Sequence, residues 1–433
     1  MVNARAVLPQ TITTLRGVEK MNTETLAVNL SVGRQPNNQP HLDAYPSGVR
    51  IILKLLTQLK HGALHLQLPD GSSAHFGDDS YPVTLRLHNW TMFSAVMKSG
   101  DIGFAETYIN GGWTTDSLTG LIELFIHNRH QVESLVYGRW WGNLLYRLKH
   151  LFNRNSRAGS RKNIHAHYDI GNDFYTLWLD PSMTYSSALF SHPQTDNLQD
   201  GQHAKYRRIV EQLQLKPGAK VLEIGCGWGG FAEVVAKHSS SHVTGLTLST
   251  EQLSFAQKRM LDAGLAKQTD LKLMDYRDCE GQFDAIASIE MFEAVGESYW
   301  PTYFECIARN LKNGGRACIQ TIVIADELFE RYRVGTDFIQ QYIFPGGMLP
   351  SPSVFKSQAK KQGLKVVDEF AFGLDYARTL AEWRQAFKKE LKQVRAQGFD
   401  EKFLRTWEFY LSYCEAGFRA NSISVMHFTL ENS

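Results

Sequence analysis

At 433 residues the chain is long enough for roughly two or three domains, and 43% hydrophobic with 21% charged residues describes an ordinary globular protein. A net charge of +2 gives no global field for nucleic acid or membrane, so any such surface must be local. The five cysteines (Cys226, Cys279, Cys306, Cys318 and Cys414) are odd in number and show neither CxxC nor metal-ligand spacing, which points to a reducing compartment, no disulfide framework and no metal centre.

No apolar run reaches the roughly 18 residues of a membrane span, and Arg5 is followed by no apolar signal core. Residues 1–45 are polar and aperiodic, with Arg34-Gln35-Pro36-Asn37-Asn38-Gln39-Pro40 as the clearest disorder signal. Residues 46–133 form a small α+β domain by pattern. Ile51–Leu56 looks helical. Ala63–Leu68 alternates as a strand and ends at the turn Pro69-Asp70-Gly71, and Val83–Leu87 alternates again. Met92–Met97 and Leu121–Phe125 look helical.

Residues 134–168 contain no Asp or Glu but carry Arg139, Arg147, Lys149, Arg154, Arg157, Arg161 and Lys162. Helical spacing puts Trp141, Leu144, Leu145, Leu148 and Phe152 on one stripe. Such a segment suits an anionic membrane surface; it also suits a basic linker helix packed on its own protein. Nucleic acid is not expected, because the basic run is short and the rest of the chain is balanced.

Residues 169–433 open a different pattern. Val221-Leu222-Glu223-Ile224 is an apolar run ending near a carboxylate, and Gly225, Gly227, Gly229 and Gly230 follow within six residues. A helical pattern then begins at Phe231. Glycines let the backbone turn sharply and approach a ligand, and the helix start offers free N–H groups beside it. Two cofactors compete for this loop. Gly225, Gly227 and Gly230 satisfy the dinucleotide spacing GxGxxG, but the next strand, Val243–Leu248, ends without the acid a ribose would need. Glu223, two residues before the first glycine, suits the ammonium of S-adenosylmethionine (SAM) better than a pyrophosphate. Further strands are expected at Leu271–Met274, Phe283–Ser288 and, after the turn Asn313-Gly314-Gly315, Ala317–Ile322. A doubly wound sheet of this kind places Gly225, Thr247, Asp275, Glu290 and Gln320 near one crevice. Residues 330–430 read as helical and aromatic-rich.

Six ordered segments then resemble the cyclopropane fatty acid synthase family. They are His167–Tyr175, the glycine loop with Val243–Gln252, Asp275-Tyr276-Arg277-Asp278, Met291–Gly296, Tyr342–Gly347, and Asp375–Leu380 with Trp383. The resemblance runs over about residues 48–420 and includes Gly100–Glu106 and Gly111-Gly112-Trp113 of the small domain. It implies a Rossmann-like class I SAM methyltransferase fold with helical lid insertions. It also implies a cytoplasmic enzyme on the inner membrane face that acts on unsaturated phospholipid acyl chains; a homodimer is left open.

By the same resemblance, Tyr185 and Ser186 contact SAM from a lid, while Glu223, Gly225 and Gly227 meet its methionine part. Thr247, Leu248 and Gln252 hold the ribose side, and Asp275, Tyr276 and Arg277 lie by the adenine. The family's base is a bicarbonate ion bound by Cys, Glu, His, a backbone amide and Tyr. Here Glu293, Ile322 and Tyr376 match the Glu, amide and Tyr, but Ser187 stands for the Cys and Gln320 for the His. Ala294 likewise stands where many members have His. These departures keep two outcomes open: a cyclopropane, or a methyl-branched, methylene or doubly unsaturated methylated chain. A small-molecule methyltransferase is the remaining alternative.

Overall fold

In the computed structural model, the alternating apolar runs of residues 205–325 become the parallel half of a mixed sheet. The structure describes residues 45–78, 82–136, 170–192 and 196–432. The N-terminal tail, nearly all of the basic aromatic stretch 134–168, and His167-Tyr168-Asp169 lie outside the described residues.

The strands of the large sheet are β5 (Lys220–Ile224), β6 (His242–Thr247), β7 (Thr269–Leu273), β8 (Phe283–Ile289), β9 (Leu311–Ile324), β10 (Leu364–Ala371) and β11 (Ile423–Asn432). Their order is β10-β11-β9-β8-β5-β6-β7. β5 pairs in parallel with both β6 and β8, so the chain reverses its direction of travel across the sheet at β5, beside the glycine turn. That reversal opens the crevice where open α/β sheets take their ligands.

Two expectations need correction. The Asn313–Gly315 turn does not precede a strand; it is absorbed within β9 as an irregularity, with Phe283 opposite Leu311 and Ala285 already opposite Arg316. Residues 330–430 are not wholly helical: β10 and β11 add two antiparallel strands beyond β9. β10 alternates buried or half-buried with exposed positions; Lys365 and Glu369 lie on the exposed face of this sheet-edge strand, while half-buried Asp368 pairs with Arg208.

The small N-terminal sheet has the order β2-β1-β3-β4, with β1 (Ala63–Gln67), β2 (Ser73–Gly77), β3 (Val83–Leu87) and β4 (Trp113–Thr115). β2 and β4 were not anticipated from the sequence. The helix Thr91–Ile109 breaks at Ser99 and Gly100, where Gly100 takes φ +58°. The break lets the two halves pack on each other: a Cβ on Gly103 would lie 2.1 Å from the Ala95 carbonyl oxygen.

This sheet shares one hydrophobic core with the C-terminal helices. Leu64, Phe93, Trp113 and Leu121 are buried in the same cluster as Trp383, Trp407, Phe409 and Phe418. Polar contacts reinforce the junction with the helix Glu401–Arg419. Arg405 donates to the Tyr108 carbonyl at 2.7 Å and to the Trp113 carbonyl at 3.1 Å, and Tyr108 donates to Glu408 at 2.9 Å. Glu415, 1% exposed, is matched by Arg384 and Arg419 and accepts from Thr119. A buried carboxylate needs such partners. Among the described residues no helix is long and apolar enough to cross a membrane.

Replacing Gly103 by Ala should force the helix break open and cost about 1–3 kcal/mol through overpacking. Urea unfolding of the full chain checks this; an unchanged midpoint would contradict the close approach.

Candidate active site

The glycine turn is locked from both sides. The amides of Gly225 and Cys226 both donate to the Leu246 carbonyl, at 2.9 and 2.8 Å, so the loop is tied to β6. Gly225 takes φ +87° and Gly227 φ +49°, which L side chains adopt at a cost. A Cβ on Gly230 would lie 2.7 Å from the Tyr206 hydroxyl, so the helix Gly230–Ser239 starts in close contact with that ring.

Around this turn lies a cavity of about 160 Å³. Tyr185, Ser186, Glu223, Gly225, Gly227, Thr247, Leu248, Gln252, Asp275, Tyr276 and Arg277 all line it. Thr247 donates to Gln252 at 3.1 Å, fixing that amide across the end of β6. Asp275 is clamped to Arg277 through Nε at 2.8 Å and Nη2 at 2.5 Å, a bidentate pair that holds both side chains in place. Tyr185 hydrogen-bonds Tyr410 at 2.7 Å and stacks its ring near Trp383. Glu223 is 2% exposed, and its Oε2 has no partner. Burial pushes its carboxyl up to about 8, against the lowering effects of the Ala232 amide and the charges of Arg259 and Lys205.

A second, larger cavity of about 430 Å³ is mostly apolar, with Asp101, Asp337, Glu290, Glu293, Arg129 and Arg331 as its charged side chains among the described residues. Its lining joins both parts of the chain: Ile52, Leu66, Leu85 and Val96 come from around the small sheet, and Ile322, Phe344, Leu380 and Phe418 from around the large one. The two cavities meet at Tyr185, Glu290 and Ala294, which line both.

At this junction the structure divides the five residues expected around a bicarbonate into two groups. Ser187, Gln320 and Tyr376 converge on the carboxylate of Glu290. The Ser187 amide donates to Oε1 at 2.8 Å, Gln320 Nε2 to Oε1 at 2.7 Å, and the Tyr376 hydroxyl to Oε2 at 2.6 Å. The Ser187 hydroxyl turns away and donates to the Ala188 carbonyl at 2.9 Å. Glu293 and Ile322 form the other group. The Ile322 amide donates to Glu293 Oε1, which also accepts from Thr321 at 3.1 Å. Glu293 Oε2 is buried and without a partner.

These donors do not fit a separate bicarbonate. The Ser187 amide, the Tyr376 hydroxyl and the Ile322 amide each have one hydrogen, and each is already given to a carboxylate of the chain. An added anion would instead sit beside Glu290 and Glu293, both negative when ionised.

Sequence reasoning placed Glu290 only near the crevice and did not anticipate His427 or Lys205. His427 on β11 lies opposite Gln320 on β9. Burial, with the charges of Arg208 and Lys205, holds its pKa well down, so the ring is neutral. Its Nε2 lies 2.8 Å from Gln320 Oε1, an acceptor only, so Nε2 carries the proton. That bond fixes the Gln320 amide with its NH₂ toward Glu290. Lys205, fully buried, donates to Ser186 Oγ and Gln202 Oε1, each at 2.6 Å. Burial lowers its pKa while the charges of Glu290, Asp180 and Glu223 pull it back up. Burial raises the carboxyl of Glu293 to about 8, helped by the charge of Glu290.

The sheet order, the glycine turn at its reversal and the acidic Glu223 beside it define a class I SAM-dependent methyltransferase. A sequence model described as mycolic acid cyclopropane synthetase matches residues 155–428. The chain is 34% identical over 379 residues to the tuberculostearic acid methyltransferase UfaA1 of Mycobacterium tuberculosis, covering 86% of this chain and 88% of that one. It is 36% identical over 347 residues to the cyclopropane-fatty-acyl-phospholipid synthase of Escherichia coli, covering 80% and 87%. The solved mycolic acid cyclopropane synthase CmaA1, complexed with SAH and CTAB, superposes with a TM-score of 0.59 at 31% identity over 63% of this chain and 98% of that one. The chain belongs to the cyclopropane synthase family, and its cofactor is SAM, as the loop and Glu223 indicated over a dinucleotide.

The pKa of Glu223 yields a binding signature. With burial pushing the free carboxyl up to about 8, a Glu223 paired with the ammonium of SAM would be driven to its ionised form, and binding would release a proton. Calorimetry in buffers of different ionisation enthalpy should show release of most of one proton per SAM, and Glu223→Gln should abolish it. A binding enthalpy independent of buffer would remove Glu223 from the ammonium site.

Proposed function

We propose that the enzyme transfers the methyl carbon of SAM to the cis double bond of an unsaturated acyl chain in a membrane phospholipid, closing a cyclopropane ring. The observation that supports this most directly is the meeting of two unlike cavities: a polar one around the glycine turn and an apolar one of about 430 Å³. The larger lies within the usual range of roughly 300–1,000 Å³ for ligand pockets. A small polar acceptor would have no use for so long an apolar lining. Arg129 and Arg331 are the cations of that lining among the described residues, and a phosphate-bearing lipid suits them.

In this reading Glu223 and the Gly225–Gly227 backbone hold the methionine end of SAM. Thr247, Leu248 and Gln252 hold the ribose, Asp275, Tyr276 and Arg277 face the adenine, and Tyr185 and Ser186 cover the sulfonium. Bound SAM would supply an electrophilic methyl to the alkene π pair and leave as its thioether, and the cavity would then enclose the cation left on the neighbouring acyl carbon. The dry lining keeps water from that cation. Loss of a proton from the new methyl supplies the electron pair that closes the ring. In this reading the acyl cation draws Glu293, raised to about 8 by burial, toward the ionised form that steadies it, with Oε1 held by the Ile322 amide and Oε2 unpartnered.

The second reading keeps the substrate but makes a methyl-branched, methylene or doubly unsaturated methylated chain. It is favoured by the departures at Ser187, Gln320 and Ala294 and by the relative whose name is a methyltransferase. Mass spectrometry with proton NMR of lipids from cells expressing the chain decides. A gain of one CH₂ with loss of the olefinic signal supports the cyclopropane; the same gain with an olefinic signal kept, from a methylene group or a methyl on an alkene carbon, supports the second reading, and a saturated methyl branch would show as a gain of CH₄ and require a separate hydride donor.

Glu293→Gln should lower turnover at least tenfold, in line with loss of one electrostatic contact at a transition state, and leave SAM affinity within a few-fold. Turnover unchanged would remove Glu293 from the chemistry. The basic stretch makes an anionic membrane surface the natural docking partner. Replacing Arg154, Arg157 and Arg161 by Ser should weaken sedimentation with anionic vesicles by about 1 kcal/mol per charge. Equal binding would leave the stretch a linker.

A further inference from the structure

We infer that the carboxylate of Glu290 is the enzyme's own resident anion and proton acceptor, standing where the resemblance called for a bicarbonate ion. The inference deepens the proposed reaction and rests on it for the identity of the proton.

Four observations carry it. The carboxylate receives one hydrogen bond each from the Ser187 amide, the Gln320 side chain and the Tyr376 hydroxyl, three of the five residues that the resemblance set around a bicarbonate. It lines both the cofactor cavity and the apolar cavity, so it faces the place where methyl donor and alkene meet. Its backbone holds φ +50°, a left-handed conformation that glycine adopts freely and a glutamate does not. Residues kept in such conformations cluster at functional sites. Finally, its surroundings support it: neutral His427 orients the Gln320 amide, and Lys205, bonded to Ser186 and Gln202, sets a positive charge near the carboxylate.

The chemistry balances with the chain alone. As the new methyl's C–H pair forms the closing C–C bond, the proton passes to a Glu290 oxygen. Tyr376 remains protonated, because burial and the charge of Glu290 both raise its pKa, and so continues to donate to the same carboxyl group. The proton leaves to solvent after the lipid product departs.

The test uses the full chain with SAM and vesicles of cis-monounsaturated phospholipid. In buffer scrubbed of carbon dioxide, turnover should equal that with bicarbonate added, and [13C]bicarbonate NMR should show no binding to the protein. Glu290→Gln should bind SAM as the wild type does and lose about 10²-fold or more in turnover, the usual worth of a positioned base. Glu290→Gly frees the three donors without backbone strain; it should bind [13C]bicarbonate and regain part of its turnover as bicarbonate or formate is added. Wild-type binding of [13C]bicarbonate, wild-type dependence on it, or full turnover by Glu290→Gln would overturn the inference. The carbonate-binding result does not depend on the product, so a branched product would end the cyclopropane reading without deciding this one.

Discussion

The carboxylate of Glu290 is held at one point by donors from three separate parts of the chain: the segment before the helix Leu198–Leu213, the second half of β9, and the start of the helix Gly373–Lys389. Burying an ionised carboxylate is costly unless its lone pairs are filled and a counter-charge is near. Both conditions are met only if these segments close together, with Lys205 beneath and His427 behind Gln320. The site and the fold therefore depend on the same contacts. Removing one donor would strand a buried charge as well as disturb catalysis.

That constraint also explains the architecture around it. β10 and β11 extend the sheet past β9, and β11 supplies His427 directly opposite Gln320. The small N-terminal sheet does not stand apart from the chemistry. It shares a core with the helix Glu401–Arg419 and lends apolar side chains to the cavity that reaches Glu290. Under the proposed function an acyl chain in that cavity would touch side chains from both halves, which would give residues 46–133 a place in substrate recognition.

Much of this was legible in the sequence. β5, β6 and β8 show as short apolar runs because parallel strands are buried on both faces. The glycine turn and Glu223 announced the cofactor because close backbone approach demands those residue types. β10 was hidden by its charged edge face, and β4 by its three-residue length. The resemblance called for an apolar tunnel, but which residues line the cavity was not legible, because side chains that line an apolar tunnel look like any core. Glu290 and Glu293 lie three residues apart, and no periodicity says which carboxylate gathers the donors; the left-handed turn at Glu290 decides it. His427 lies more than a hundred positions from Gln320 and meets it only through strand pairing.

The most direct measurement is a crystal structure of the SAH complex grown in the presence of bicarbonate, at a resolution that separates a side-chain carboxylate from a free planar ion. The account predicts continuous density from the Glu290 backbone to a carboxylate bonded by Ser187, Gln320 and Tyr376. A separate planar anion on those donors, with Glu290 swung aside, would contradict it.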